Sequence, residues 1–454
     1  MRPEKRYHKQ KAFFSIIAIV LSLSLQAQDV KKLTLDECID IAMGNNIALQ
    51  RAQNSSLIAA ANKKQALLNF LPTLQTRINY DFFTGTFFDT NAARQVSETT
   101  NSSGPRLSSN LNIFNGFRNH QNRKQRNNEF EASKHDIESS KLVVESNVIL
   151  YYMNVAVDRE NIKIARNRVD LLSKQLEREE KREQAGVGRL EEVYNLKSQV
   201  ANEKLNLVNL ENQYKMDKLL LIQALQLNTI QDIEIADLTI SEEVINSEIQ
   251  SYDNVIRSAT TFSPNLKSAT YSLAASKNAL NVARAARYPS ITFTGVLGSN
   301  YSSNGARNPE TGDFDADASF FDQIDFNQFE YFDFTLNIPI FTRGETNRAI
   351  QVAKINMINS ELDLKQATMD LTNSVQQAYL DLLAAKSTYD AALENLIALE
   401  QTFKFMETRY TSGDADLFSY LESLDNKNRA ELELANSKYR IALRKKILEV
   451  YQGL

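Results

Sequence analysis

No tryptophan occurs among the 454 residues, and only 13 glycines, 7 prolines, 3 histidines and one cysteine do. Each scarcity excludes something. A lone cysteine, Cys38, cannot form an intrachain disulfide. It follows Asp36-Glu37 and not the small residues that precede a lipidated cysteine, so it reads as a half-buried helix residue. His8 lies in the N-terminal leader. His120 and His135 stand 15 residues apart with no cysteine partner, which gives no metal-ligand spacing. The same shortage leaves no Ser/His/Asp or Cys/His set, so the chain is read as no enzyme and as needing no cofactor. Charge of one sign is missing too. With 52 basic and 56 acidic residues the net charge is −4, and no bulk field draws nucleic acid. Runs such as Glu177–Glu183 mix both signs and read as a solvated helix face. Few glycines and prolines among many Ala, Leu, Gln, Glu and Lys favour long helices, because straight-chain residues lose little rotamer freedom there.

Long hydrophobic runs are also lacking. Arg2, Lys5, Arg6, Lys9 and Lys11 precede an apolar stretch from Ala12 to Leu25, too short to span a bilayer comfortably. Leu25-Gln26-Ala27 then offers a cleavage site, so residues 1–27 read as a signal peptide and the mature chain as exported. Beyond it, no apolar stretch reaches the roughly 18 residues of a membrane helix. Membrane contact would then be peripheral or made by a β-barrel.

What the chain does contain is a duplication. Leu49 to Pro72 and Leu266 to Pro289 both span 23 residues and both end in an X-Pro pair. Ile113-Phe114 matches Ile340-Phe341, and Phe114 to Gly186 and Phe341 to Gly413 both span 72 residues. An aliphatic residue follows each glycine, Leu190 and Leu417. Two repeats follow, 28–227 and 254–454, joined by a linker at 228–253. Each reads helix, strand pair, very long helix, turn, helix. The helices fall at 34–70, 119–184, 189–227, 254–287, 345–411 and 416–452. The strands fall at 73–82, 106–114, 290–299 and 331–341. Within the linker, Asp232–Ile240 alternates and predicts a short extended piece.

The strand segments alternate strictly. Leu74, Thr76, Ile78, Tyr80 and Phe82 share one face, and Gln75, Arg77, Asn79 and Asp81 the other. Phe332, Phe334, Leu336, Ile338 and Ile340 likewise oppose Asp333, Thr335 and Asn337. Strands of about ten residues with one apolar face suit a barrel between lipid and water. A soluble amphipathic sheet has the same period. Aromatic clusters at the strand ends (Phe82, Phe83, Phe87, Phe88 and Phe320, Phe321, Phe326, Phe329) favour the membrane, where they make an interfacial girdle. Four strands cannot enclose a lumen, since small closed barrels need about eight. A trimer would supply about twelve. Between the strands, 83–105 and 300–330 read as polar loops, the second rich in Asp and Glu.

The two tracts of about 66 residues have no interior proline or glycine and would span on the order of 100 Å as helices. Helices of half that length stack end to end beside them, 34–70 on 189–227. Leu142, Val148, Tyr152, Val155, Ile162, Val169 and Leu176 keep a heptad-like stripe that predicts coiled-coil packing. Ile149, Tyr151 and Val157 cover a second side.

In this order the segments resemble the TolC family of outer membrane efflux proteins over essentially the whole mature chain. Leu33–Leu49 looks like the family's opening helix, and Leu71-Pro72 and Tyr288-Pro289 like its strand entries. Asn112–Gly116 and Ile338–Gly344 look like its barrel exits, and Gln184–Val193 and Arg409–Leu417 like its two periplasmic hairpins. The resemblance implies an α+β membrane protein: a trimeric, twelve-stranded β-barrel continued by a long α-helical coiled-coil tunnel in the periplasm. It also implies a passive outer-membrane conduit, embedded in outer membrane lipid, for a periplasmic adaptor and an inner-membrane transporter. Docking would fall on Gly186, Val187, Gly188, Gly413 and Asp414. Family residues that shut the aperture map by position onto Tyr410, Glu192, Glu422 and Ser419. Ala415 stands where the family has an arginine, with Arg189 and Arg409 nearby as substitutes.

The competing reading is a secreted coiled-coil scaffold or adhesin with a soluble sheet; solubility without detergent separates the two. A periplasmic adaptor lacks duplicated long helices flanking strand pairs. Gly186-Val-Gly188 sits between helices, not after a strand, and so starts no nucleotide loop.

Overall fold

A computed structural model describes residues 32–227, 233–308 and 311–454. The expected signal peptide lies outside these residues. In chain order the elements are β1 (Lys32–Leu33), α1 (Leu35–Asn45), α2 (Ile47–Leu68), β2 (Thr73–Arg77), β3 (Tyr80–Asp89), β4 (Arg94–Ser103), β5 (Arg106–Asn115), α3 (Arg118–Gln184) and α4 (Leu190–Ala224). Next come β6 (Glu234–Ile235), α5 (Glu242–Asn246), α6 (Tyr252–Phe262), α7 (Pro264–Ala285) and β7 (Ser290–Gly298). The short pieces β8 (Tyr301–Ser302), β9 (Ala306–Arg307), β10 (Phe314–Asp315) and α8 (Phe320–Phe326) lead to β11 (Phe329–Asn337), α9 (Glu345–Ser412) and α10 (Leu417–Gln452). No helix among the described residues is long and apolar enough to cross a membrane.

The chain divides into two compact units that cut across the repeats. One takes Arg51–Ser139 and Ser263–Thr372; the other takes the described part of Met1–Gln50 with Ser140–Phe262 and Asn373–Leu454.

The first unit holds a four-stranded antiparallel sheet in the order β11-β7-β5-β2. Register carries the alternation across it. Leu111, Phe293 and Phe334 stand abreast on one face, as do Leu74, Ser109, Gly295 and Phe332. Asn110, Thr294 and Asp333 stand abreast on the other, and Thr294 Oγ1 donates to Asn110 Oδ1 at 2.9 Å. Phe293 lies 4.9 Å from Phe334 between ring centres, a cross-strand aromatic pair. The apolar face is bare: Leu74 is 72% exposed and Phe334 69%.

Three strand boundaries differ from those the sequence suggested. Segment 73–82 splits at Ile78-Asn79, and its second part enters a different sheet, β3-β4-β8. Residues 83–105 are not a loop but mostly a hairpin, with Tyr80–Asp89 paired to Arg94–Ser103. Hydroxyl pairs hold it, Thr84 with Thr99 at 2.9 Å and Thr86 with Ser97 at 2.8 Å, and Asp89 Oδ1 accepts the N–H groups of Asn91 and Ala92 at the turn. Polar composition suggested a loop, yet β-branched threonine fits a pleated surface as well as valine does. The last strand runs Phe329–Asn337 and stops short of 341, because Pro339 has no N–H to offer a ladder. Segment 300–330 is anchored by Gln323, fully buried, which accepts the Ser302 N–H and donates to the Ser302 and Ala318 carbonyls, each at 2.9 Å.

The helices expected at 34–70 and 254–287 each break, whereas those at 189–227 and 416–452 are continuous. Asn46 Oδ1 accepts the Leu49 N–H at 3.0 Å, and Ser263 Oγ accepts the Leu266 N–H at 3.3 Å. Each residue ends one helix and caps the next. They stand at equivalent places in the two repeats, and Pro264 adds the favoured first-turn proline to the second.

The second unit is helical. Its main core joins Cys38 and Ala42 of α1, Val148, Ile149, Tyr152 and Val155 of α3, Leu221 of α4 and Leu225 just past its end, and Tyr439 and Ala442 of α10. Cys38 is fully buried rather than half-buried, and burial pushes its thiol up to about 12. Of the expected stripe on α3, Val148, Tyr152 and Val155 belong to this core and Leu142 packs against it, whereas Val169 and Leu176 are only half-buried; Ile149, expected on a second side, is fully buried in the core. β1 and β6 pair in parallel, and Arg159 donates to the Ile235 and Ala236 carbonyls at 2.9 and 3.1 Å, which ties down the second half of the linker. The end of α4 meets the start of α2 through Gln226 Oε1, which accepts the Ile47 N–H at 3.0 Å.

Candidate functional site

Two helical hairpins, α3–α4 and α9–α10, close in the same way. Gly186 at φ +76° donates its N–H to Glu183 O at 2.9 Å, and Val187 and Gly188 donate to Arg182 O at 3.0 Å. Gly413 at φ +84° donates to Tyr410 O at 3.2 Å, and Asp414 to Arg409 O at 2.8 Å. A left-handed residue just past the helix satisfies its last carbonyls. Gly188 is required for a different reason: a Cβ there would lie 2.6 Å from the Glu183 nitrogen. On the far side of the second turn, Asp416 caps α10 by accepting the Ser419 N–H at 2.9 Å, and those bonds hold its carboxyl below the usual range. Val187 and Phe418 stand mostly exposed at the turns, with Leu190 and Tyr194 behind them.

Just above the turns a polar knot joins the hairpins. The Tyr410 hydroxyl donates to Glu179 Oε1 at 3.0 Å and accepts from Gln175 Nε2 at 3.3 Å. Glu179 is 1% exposed, and Arg182 donates to its second oxygen at 2.9 Å. The Tyr410 ring stacks on Tyr420 with centroids 4.8 Å apart, over a core of Leu172, Leu196, Phe403, Leu417 and Leu424. Burial, and then the bond to Glu179, push the Tyr410 hydroxyl up to about 12. Nearer the middle of the hairpins, Arg168 of α3 pairs with Glu203 of α4 at 2.9 Å and with Asp425 of α10, its side chain only 9% exposed. Asp158 and Asp217 face each other across α3 and α4. Burial, then the hydrogen bond between them, raises Asp158 to about 7.

Of the residues singled out by sequence, Tyr410 is the one the knot is built on. Glu192 is half-buried in the first turn of α4, close enough that its charge adds to the rise of Tyr410. Ser419 serves the α10 cap, Glu422 is exposed, and Ala415 is half-buried in the turn. Arg409 donates to the Asp414 carbonyl at 3.1 Å and so braces its own hairpin.

Glu179, Gln175, Arg168, Glu203 and Asp425 were not singled out. The solvated-face reading of 177–183 holds for Glu177 and Lys181, paired at 2.6 Å in solvent, and fails for Glu179. A signal was available. Arg168, Leu172, Gln175 and Glu179 repeat at i, i+4, i+7 and i+11, so three polar residues share one helix face with a leucine, beside the face of Val169 and Leu176. Among the described residues, no group of three or more His, Cys, Asp or Glu is placed to hold a metal ion.

The sequence profile of the outer membrane efflux protein family matches residues 38–225 and 255–452. Among curated proteins, the outer membrane protein TolC of Escherichia coli (strain K12) is 22% identical over 105 residues, 23% of this chain and 21% of that protein's length. Among solved structures, CusC superposes with a TM-score of 0.78 at 15% identity, covering 92% of this chain and 91% of that one. VceC of Vibrio cholerae gives 0.77 at 15% identity, covering 92% and 96%. The CmeC outer membrane channel of Campylobacter jejuni gives 0.75 at 19% identity, covering 92% and 85%.

Proposed function

The chain belongs to the outer membrane efflux protein family, and from that premise we propose that three copies form a passive duct through the outer membrane, continued into the periplasm by their helices. The observation that carries the reading is a sheet with two open edges and a bare apolar face. β2 and β11 each lack a partner on one side in this sheet, and exposed edges invite another copy. The helices next to those edges expose apolar side chains too: Leu57, Ile58 and Leu68 on α2, and Val352, Ile355, Leu362 and Met369 on α9. Such patches mark contact surfaces. Three four-stranded sheets give twelve strands, enough for a lumen. A water-soluble scaffold has no use for a sheet that leaves Leu74, Phe332, Phe334 and Leu336 bare.

The hairpins with Gly186, Val187, Gly188, Gly413 and Asp414 dock a periplasmic adaptor, which brings an inner-membrane transporter as the energy source. Exposed Val187 and Phe418 supply the apolar contact. The knot at Tyr410, with Glu192 beside it, holds the duct's inner end shut, and its release lets the hairpins part. Each structural repeat, 28–227 and 254–454, supplies one hairpin and two barrel strands. Chemical crosslinking of the detergent-purified chain tests the assembly. The ladder of products stops at three copies; a monomer that stays dissolved without detergent overturns the reading.

A further inference from the structure

The sheet-bearing unit holds a groove of about 780 Å³ between α2, the start of α3 and α7. Lys63, Lys64, His120, Arg123 and Lys124 line it, with Leu67 and Ala60 on its apolar side, and no lining residue is acidic. Nearby carboxylates are already taken by cations outside the groove: Glu129 by Arg126 at 2.8 Å, and Glu131 by Lys134 at 2.8 Å. Lys63 Nζ rests 4.7 Å from the centre of the Phe130 ring, and among the described residues no carboxylate pairs with Lys63, Lys64, Arg123 or Lys124. Lys64 precedes β2 by nine residues and Lys124 follows β5 by nine, so the groove lies on the order of 10–15 Å from the strand ends. On its apolar side the exposed Leu67 leads to exposed Leu71 and then Leu74 of the sheet's bare face.

The duplication shows that the placement of these cations is not repeated, since the second repeat carries its own, Lys277, Arg284, Arg287 and Arg348, at other positions. The positions equivalent to Lys63, Lys64, His120, Arg123 and Lys124 in the second repeat are Leu280, Asn281, Asn347, Ile350 and Gln351, none of them charged. Basic side chains just below a bilayer meet the phosphates of its facing leaflet. Their alkyl stems lie along apolar surface while the charged ends reach the headgroup.

We propose that this groove binds the phosphodiester headgroup of an anionic phospholipid, phosphatidylglycerol in type, once per chain, at the periplasmic edge of the barrel. The proposal rests on the reading that the sheet crosses the outer membrane. Arg123 offers paired donors to the phosphate, and the three other cations supply charge around it.

Native mass spectrometry of the full chain in detergent, titrated with phosphatidylglycerol, tests it. The wild type retains one such lipid per chain in preference to phosphatidylethanolamine. Each neutralised cation lowers affinity roughly fivefold, so K63Q/K64Q/R123Q/K124Q loses affinity on the order of a hundredfold or more and still assembles. A matched variant, K277Q/R284Q/R287Q/R348Q, removes the same charge from the second repeat and keeps the lipid. Equal losses in both variants, or none in the first, overturn the site. Displacement by inorganic phosphate at equal concentration shows a free-anion site and overturns the lipid assignment. Failure of the chain to insert into bilayers sinks the channel reading and with it the placement at a barrel edge, whereas loss of lipid binding in detergent, scored separately, sinks the site alone.

Discussion

Replacing Tyr410 by phenylalanine removes one oxygen from the knot and leaves the ring stacked on Tyr420. The lost bond is a 3.0 Å contact to a carboxylate that is almost wholly buried. Hydrogen bonds to charged groups are worth about 1.5–3 kcal/mol. Arg182 still holds the second oxygen of Glu179 at 2.9 Å, so the lower end applies, about 1.5 kcal/mol per chain. That is roughly a tenfold shift between closed and open hairpins in each copy. Single-channel recordings in planar bilayers read it directly: Y410F opens more often than wild type at the same voltage. Because Tyr410 is pushed up to about 12, its hydroxyl keeps its proton and donates across the neutral and mildly alkaline range. Wild-type gating is then flat from neutral pH to about pH 9 as far as this group decides it. An unchanged open probability in a well-folded Y410F trimer would refute the latch.

Three further outcomes follow from other contacts. Arg168→Ala leaves Glu203 without its cation, while Asp425 keeps Arg429 at 2.7 Å, and destabilises by about 1.5–3 kcal/mol; a double variant that also carries Glu203→Gln recovers much of that in a thermal melt. Asp158 has a folded value raised to about 7 from 3.8, so the fold binds a proton the unfolded chain has released. Its contribution to stability is complete below about pH 4, falls as pH rises to about 7, and is flat beyond. Asp158→Asn removes that slope and raises stability at pH 8 by roughly 2–4 kcal/mol; a melt with the wild-type pH dependence rejects the assignment. Gly116→Ala puts a Cβ 2.6 Å from the Ala285 carbonyl at φ +64°, in the turn between strand and long helix. The yield of assembled protein drops sharply, whereas Gly44→Ala, with nothing within 4 Å of its Cβ, folds normally.

Much of the fold was legible because it is periodic. Alternation in 331–337 foretold both sheet faces, and the two equal intervals foretold the matching turns at Gly186 and Gly413. The first helix break was missed because only one side chain, Asn46, marks it by turning back to cap; the second was marked by Ser263-Pro264, a cap followed by a first-turn proline, and was passed over. The β3–β4 hairpin was missed for a different reason. β4 is rich in Thr and Ser, and although β3 carries Phe82, Phe83, Phe87 and Phe88, the contacts that pair the two strands include hydroxyl pairs with no hydrophobic period. At the hairpins, the turn glycines and Tyr410 were readable. Glu179 was not, because a charged run looks solvated until its one stripe position is separated from the rest.

Electrical recording after the purified chain is added to a planar bilayer bears most directly on whether it makes a pore. The account predicts discrete conductance steps from particles of three chains. A bilayer that stays silent while the chain remains folded and fully inserted in lipid would contradict it.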